Sequence, residues 1–328
     1  MTPMFPLFHR SGSTVFVDDD PEYLEMLGMV LPSHWQVELY AHPARFLERM
    51  AGEPARWEAD TVHQLHMIER ARQGQAMAPQ ILQYWARNPS RYQLIKTCVI
   101  DYVMPGINGL QVLDALLDWP GARVLLTGQA DDQVAIDAFN RGLIDQYIPK
   151  HAEDIGIQLT GKLRALHQAA HARLNGQWRG TLSSGQYAWL QTASVADTLR
   201  QHSDRFWIEH VVLSDPFGLL AMDAEGRCHW LQLEPAERLG DLADLAAAAG
   251  LGPAVCREIE AGRQLPAVEL HQQLGMAGPV PLSAAFAVDL EGKLLGAHFP
   301  LPSGALPEPV EAYRHFLQTQ RRRQIQDT

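Results

Sequence analysis

Short apolar runs that stop at polar residues punctuate the first half of the chain. Thr14-Val15-Phe16-Val17 is rich in strand formers and halts at Asp18-Asp19-Asp20-Pro21. Tyr23, Leu24, Leu27, Val30 and Leu31 then recur at helical spacing, with Pro21 suited to a first helical turn. Trp35–Tyr40 alternates as a strand does, and Pro43-Ala44-Arg45-Phe46-Leu47 opens another helix. After an interruption, Thr97-Cys98-Val99-Ile100 ends at Asp101, and a Pro-Gly loop, Met104–Gly109, leads into a helix through Leu110, Val112, Leu113, Leu116 and Leu117. Val124-Leu125-Leu126 ends at Thr127-Gly128, a helix follows around Val134–Arg141, and Asp145–Ile148 ends at Pro149-Lys150. This alternation predicts an α/β fold with a doubly wound parallel sheet. The carboxyl ends of parallel strands share one edge, where ligands bind, so Asp18, Asp19, Asp101, Thr127 and Lys150 are predicted to converge there.

The interruption, residues 52–93, is predicted to be a mostly helical insertion anchored by Trp57, Leu65, Ile68, Ile81, Leu82 and Trp85. His63 and His66 lie three apart on it, a spacing that suits two imidazoles on one metal, but no third ligand is evident. Beyond Lys150 a helical pattern runs through Ile155, Leu159, Leu163 and Leu166, and a further helical stretch covers roughly 184–210. Two strand-like runs about Glu225-Gly226 predict a hairpin, helices are predicted at 239–249 and 255–274, and a second hairpin turns about Asp289–Gly292. The sequence thus divides into 1–152 with its insertion, a helical connector over 153–210, and a smaller α+β domain over 211–328.

Composition narrows the function. The chain has 328 residues, 46% hydrophobic and 20% charged, with a formal net charge of −11. From Gly176 onward there are 12 Lys+Arg against 18 Asp+Glu, and no helix-turn-helix with a basic second helix, which argues against DNA binding. Arg321-Arg322-Arg323 reads as a solvated helix end. Cys98, Cys228 and Cys256 are far apart, without a C-x-x-C pair, which suits buried thiols in a reducing compartment. With no apolar run of about 18 residues and no signal-like start, a cytoplasmic location without membrane insertion is expected.

Carboxylates gathered at one edge repel one another and call for a compensating cation, and oxygen ligands suit Mg²⁺. A carboxylate beside such an ion attacks a phosphoryl donor to form an aspartyl phosphate, with a Lys ammonium and a Thr hydroxyl neutralising the phosphoryl oxygens.

On these residues the stretch from about Ser13 to Lys150 resembles the receiver domain of two-component response regulators, a flavodoxin-like fold of five parallel strands. The resemblance implies an acidic pair at Asp18 and Asp19 and a phosphoacceptor at Asp101, within Val99-Ile100-Asp101-Tyr102-Val103-Met104-Pro105-Gly106. It implies Mg²⁺ held by Asp18, Asp19, Asp101 and the Val103 carbonyl, a hydroxyl at Thr127, a switch aromatic at Tyr147 and a lysine at Lys150. Its partners would be a sensor histidine kinase or phosphotransfer protein and a downstream protein, with homodimerisation possible. The chain departs from the family in carrying Asn108-Gly109 where Asp-Gly is usual, Gly128 where Ala is common, and Lys150-His151 in place of Lys-Pro. The run Phe217–Arg227 is similar to the opening of PAS domains. No cyclase, phosphodiesterase or nucleophile-elbow motif marks a separate enzymatic output. A receiver-like scaffold that is never phosphorylated, and a small-ligand sensor, stand as alternatives; Asp20 is read as the cap of the helix starting at Pro21.

Overall fold

A computed structural model describes residues 5–128, 132–150, 154–169, 172–306 and 308–324. The chain separates into two compact units, Ser11–His63 with Ser90–Arg173 and Phe316–Thr328, and Met1–Arg10 with Gln64–Pro89 and Leu174–His315.

The first unit is built on five strands, Ser13–Val17, Gln36–Tyr40, Ile95–Asp101, Ala122–Thr127 and Gln146–Pro149, all parallel. Their spatial order is second, first, third, fourth, fifth, the doubly wound order of flavodoxin-like sheets. Ser13–Val17 and Ile95–Asp101 are buried along their whole length, because helices cover both faces. On one face Leu24, Leu27 and Leu31 pack with Val99, Leu159 and Leu163, from the helices Pro21–Val30 and Ile155–Ala169. On the other, Phe46, Met50, Val112, Leu113 and Ala138 pack with Val15, Val17 and Ile100, from helices Pro43–Met50, Gly109–Asp114 and Asp132–Asn140. Each of the Val, Leu, Ile, Phe and Met side chains removed from water contributes about 1.5–3 kcal/mol.

The insertion is helical as the sequence suggests, with helices Glu53–Arg72 and Met77–Arg87 and a 3₁₀ turn at Pro89–Gln93. Its start is tied to the parallel sheet. Glu53 is fully buried, accepts the Ile95 N–H at 2.7 Å, and pairs with Arg49 at 2.9 Å, while Trp57 Nε1 donates to the Ile95 carbonyl at 3.0 Å. The strand that ends in Asp101 is thereby fixed at its beginning.

The second unit carries a six-stranded antiparallel sheet in the order Phe8–His9, Glu209–Ser214, Phe217–Met222, Cys228–Pro235, Leu294–Pro300, Phe286–Ala287. Phe217–Met222 and Cys228–Pro235 form the hairpin read from the sequence, turning through Gly226 at φ 77°. The units differ from the sequence divisions of 1–152, 153–210 and 211–328. Phe8–His9 joins the antiparallel sheet beside Glu209–Ser214, and Met77–Arg87 packs against the helix Val268–Gln273, so residues 1–10 and 64–89 belong with the C-terminal part. The helix predicted over 255–274 is broken into Pro253–Glu260, a strand Gln264–Pro266 and Val268–Gln273. Gly262 turns left-handed there, at φ 65°, and Pro266 has no N–H for a continuing helix. Among the described residues no helix is long and apolar enough to cross a membrane.

Candidate functional site

Register brings the polar strand ends together. Val17 pairs with Ile100 and Asp101 with Leu126, so Asp18 and Asp101 emerge side by side, and Thr127 pairs with Pro149 next to Lys150. One ligand oxygen from each of Asp18, Asp19 and Asp101 lies within 4.8 Å of the other two, and among the described residues this is the one such group of three metal-ligating side chains. Asp18 and Asp101 are buried, at 1% and 3% exposure, and Asp19 is exposed. Lys150 Nζ bridges the buried pair, 2.6 Å from Asp18 Oδ2 and 3.1 Å from Asp101 Oδ1.

The electrostatics follow from this crowding. Burial raises the Asp101 carboxyl above its ordinary value; Asp18 adds to that, while the hydrogen bond and charge of Lys150 pull against it. Burial alone would lower the Lys150 ammonium, but its hydrogen bonds and charge contacts to Asp18 and Asp101 prevail and raise it. One ammonium cannot balance three carboxylates.

Neighbouring residues hold this edge in shape. Asp18 Oδ1 accepts the Asp20 N–H at 3.1 Å, and Asp20 caps the helix from Pro21 by accepting from Glu22 and Tyr23, as the sequence suggests. Asn108 caps the next helix in a capping box with Gln111. Gly109, first in that helix, has no room for a side chain: a Cβ would lie 2.2 Å from the Asp101 carbonyl oxygen. Gly109→Ala is therefore expected to destabilise the chain by about 1–3 kcal/mol, because backbone and not a flexible side chain would have to move. Urea unfolding of the two proteins checks it.

The other residues singled out from the sequence take the following places. Val103 follows Asp101 by two residues in the loop, its side chain 67% exposed. Thr127 ends its strand at the same edge; its side chain lies outside the described atoms, as does the Lys150–His151 peptide. Tyr147 is half-buried and packs against the cluster that includes Ile100 and Met104. His66 on the insertion is exposed, and neither it nor His63 belongs to the metal-ligating group of three.

One residue of the site escaped the sequence reading. Tyr23, counted only as an apolar helical position, lies with its ring 4.9 Å from Lys150 Nζ. Its hydroxyl is raised to about 12 by burial and then by Asp18 and Asp101, and is buried without a hydrogen-bond partner. An aromatic residue four positions after the acidic pair, in the first turn of the following helix, was the available signal.

The donor set fits a hard divalent cation. All three carboxylates are oxygen ligands, and their excess negative charge is what such an ion would offset.

No protein-family model matches the chain, and no curated protein matches it. Among solved structures, the response regulator LqsR of Legionella pneumophila is similar with a TM-score of 0.67 at 20% identity, covering 96% of this chain and 97% of its own. A CheY-like response regulator receiver domain protein of Methanospirillum hungatei is 16% identical over 50% of this chain and 98% of its own, with a TM-score of 0.32. The receiver domain of RstA of Klebsiella pneumoniae is 22% identical over 47% of this chain and 97% of its own, with a TM-score of 0.32. The chain therefore shares its fold, through both units, with LqsR.

Proposed function

We propose that this protein is a response regulator that accepts a phosphoryl group on Asp101. The observation that carries this is the meeting of Asp18, Asp19 and Asp101 with the Lys150 ammonium at the carboxyl edge of a 2-1-3-4-5 parallel sheet. The fold shared with a protein described as a response regulator supports it.

In the reaction an Asp101 carboxylate oxygen attacks the phosphorus of a phosphohistidine on a kinase or phosphotransfer protein. The P–O bond forms as the P–N bond breaks, and the donor imidazole leaves with its electron pair. Lys150, already against Asp101, then turns toward the new phosphoryl oxygens, joined by the Thr127 hydroxyl. Asp18, Asp19, Asp101 and the Val103 carbonyl would hold Mg²⁺, which would supply the remaining neutralisation of the phosphoryl charge. Drawing Lys150 and Thr127 inward gives Tyr147 a second position to occupy, which shifts the populations of the face beside the last two strands. The output is protein interaction in the cytoplasm, with a downstream partner or a second copy, rather than DNA binding or a separate enzymatic activity, consistent with the acidic second half.

The test is incubation of the full chain with acetyl phosphate and Mg²⁺, read by intact mass. A gain of one phosphoryl group that requires the metal is expected. No gain overturns this reading and leaves the unphosphorylated scaffold in its place.

A further inference from the structure

We propose that His229 and His298 form a second, transition-metal site on the antiparallel sheet, of a chemistry suited to Zn²⁺ and distinct from the acidic edge. The two residues lie on adjacent antiparallel strands, where His229 pairs with Pro300 and His298 with Leu231. This diagonal register sends both side chains to the same face of the sheet. Their rings stack with centroids 5.1 Å apart, and His298 Nε2 lies 3.2 Å from His229 Nδ1. Two imidazole nitrogens on one tetrahedral zinc, each at about 2.0–2.1 Å, stand about 3.3 Å apart. The pair is therefore already at ligand spacing.

The surroundings of His229 favour the same reading. Its other nitrogen, Nε2, lies 3.4 Å from Asp223 Oδ2, a carboxylate oxygen that only accepts, so Nε2 carries the hydrogen and Nδ1 keeps its lone pair facing His298. A carboxylate holding the far nitrogen of a ligating histidine is the arrangement that fixes ring and tautomer at metal centres. Asp223 is itself held firmly: Oδ1 accepts the N–H groups of Glu225 and Arg227, and Oδ2 accepts from Arg227 Nε at 2.8 Å. His298 is exposed, which leaves the outer coordination positions to water. A third imidazole, His202, is near: it and His298 each lie 6.4 Å from Trp207, ring centre to ring centre. Its Nδ1 donates to the Thr198 carbonyl at 3.1 Å, which leaves Nε2 as the lone-pair nitrogen. It does not complete a group of three ligands in this structure, so the site has two protein ligands. Imidazole donors select zinc, copper and nickel over Mg²⁺, so the two sites would not compete for one ion.

The test is calorimetric titration of the full chain with Zn²⁺ in excess Mg²⁺. One equivalent is expected to bind, His229→Ala and His298→Ala to weaken it at least tenfold, and Asp101→Asn to leave it unchanged. His298→Gln separates ligation from packing, because it keeps a polar side chain beside His229 without an imidazole nitrogen, while far-UV circular dichroism reports the fold. It too is expected to lose the tenfold. The proposal is overturned by absence of binding in the native chain, by binding that survives the His298 variants, or by binding that disappears in Asp101→Asn.

Discussion

Asp101→Asn is expected to abolish phosphoryl uptake from acetyl phosphate, whereas Asp19→Asn is expected to slow it and leave the modified residue in place. Three carboxylates meet at the edge, and their surroundings separate their roles. Asp18 is buried, holds Lys150 at 2.6 Å and takes the Asp20 N–H, so it braces the edge as well as offering an oxygen to the cation. Asp19 is exposed, and no ion pair fixes it among the described contacts, which suits a group that gathers a hydrated cation. Asp101 ends a central strand buried along its whole length and has the Lys150 ammonium 3.1 Å from one oxygen, ready for the charge that builds on a transferred phosphoryl group. Asn keeps the shape of Asp101 and has no nucleophilic carboxylate. Peptide mapping after the reaction decides the matter: label on a peptide other than the one containing Asp101 would move the acceptor elsewhere.

The parts of this site that the sequence displays are those that end strands. A parallel strand covered on both faces is a continuous apolar run, so its end is abrupt, and Ile100 to Asp101 or Val17 to Asp18 marks the position to one residue. Tyr23 was hidden because an aromatic ring at helical spacing has the same pattern whether it faces the core or a charged edge. Glu53 was hidden for a related reason: a buried carboxylate is recognisable only from its partners, and Ile95 lies far along the chain. The hairpin at Gly226 was legible from its turn, but the two-residue strand Phe8–His9 is too short for any periodicity. Nor does the insertion announce that residues 64–89 cluster with the second unit, since one continuous helix, Glu53–Arg72, runs through the change.

That second unit also holds a group whose titration is expected to show in stability. His210, on the strand Glu209–Ser214, is buried, and burial lowers its imidazole from 6.5 to about 4, although its hydrogen bond to Pro6 works in the other direction. Nε2 donates to the Pro6 carbonyl at 2.9 Å, and Nδ1 is left to accept from the Ser203 hydroxyl at 3.3 Å. Phe5 stacks on the ring at 4.8 Å and shields it from water. In the unfolded chain His210 takes a proton as the pH falls below about 6.5, and in the folded protein it does so only near 4. Its contribution is therefore whole above the unfolded value and is lost as pH falls between the two. A tenfold difference in proton affinity corresponds to about 1.36 kcal/mol, so the loss approaches about 3 kcal/mol by pH 4. His167 in the first unit, buried and held by Thr14 Oγ1 at 2.9 Å, is lowered in the same direction, so the native protein alone would not isolate the effect. His210→Gln removes the titrating group and keeps polar atoms for the site. Urea midpoints at pH 7 and pH 4.5 are expected to fall less for the variant than for the native chain, by roughly 2–3 kcal/mol once converted to free energy. An equal fall in both proteins would mean that His210 takes up its proton as readily folded as unfolded, and that Pro6, Phe5 and Ser203 do not enclose it.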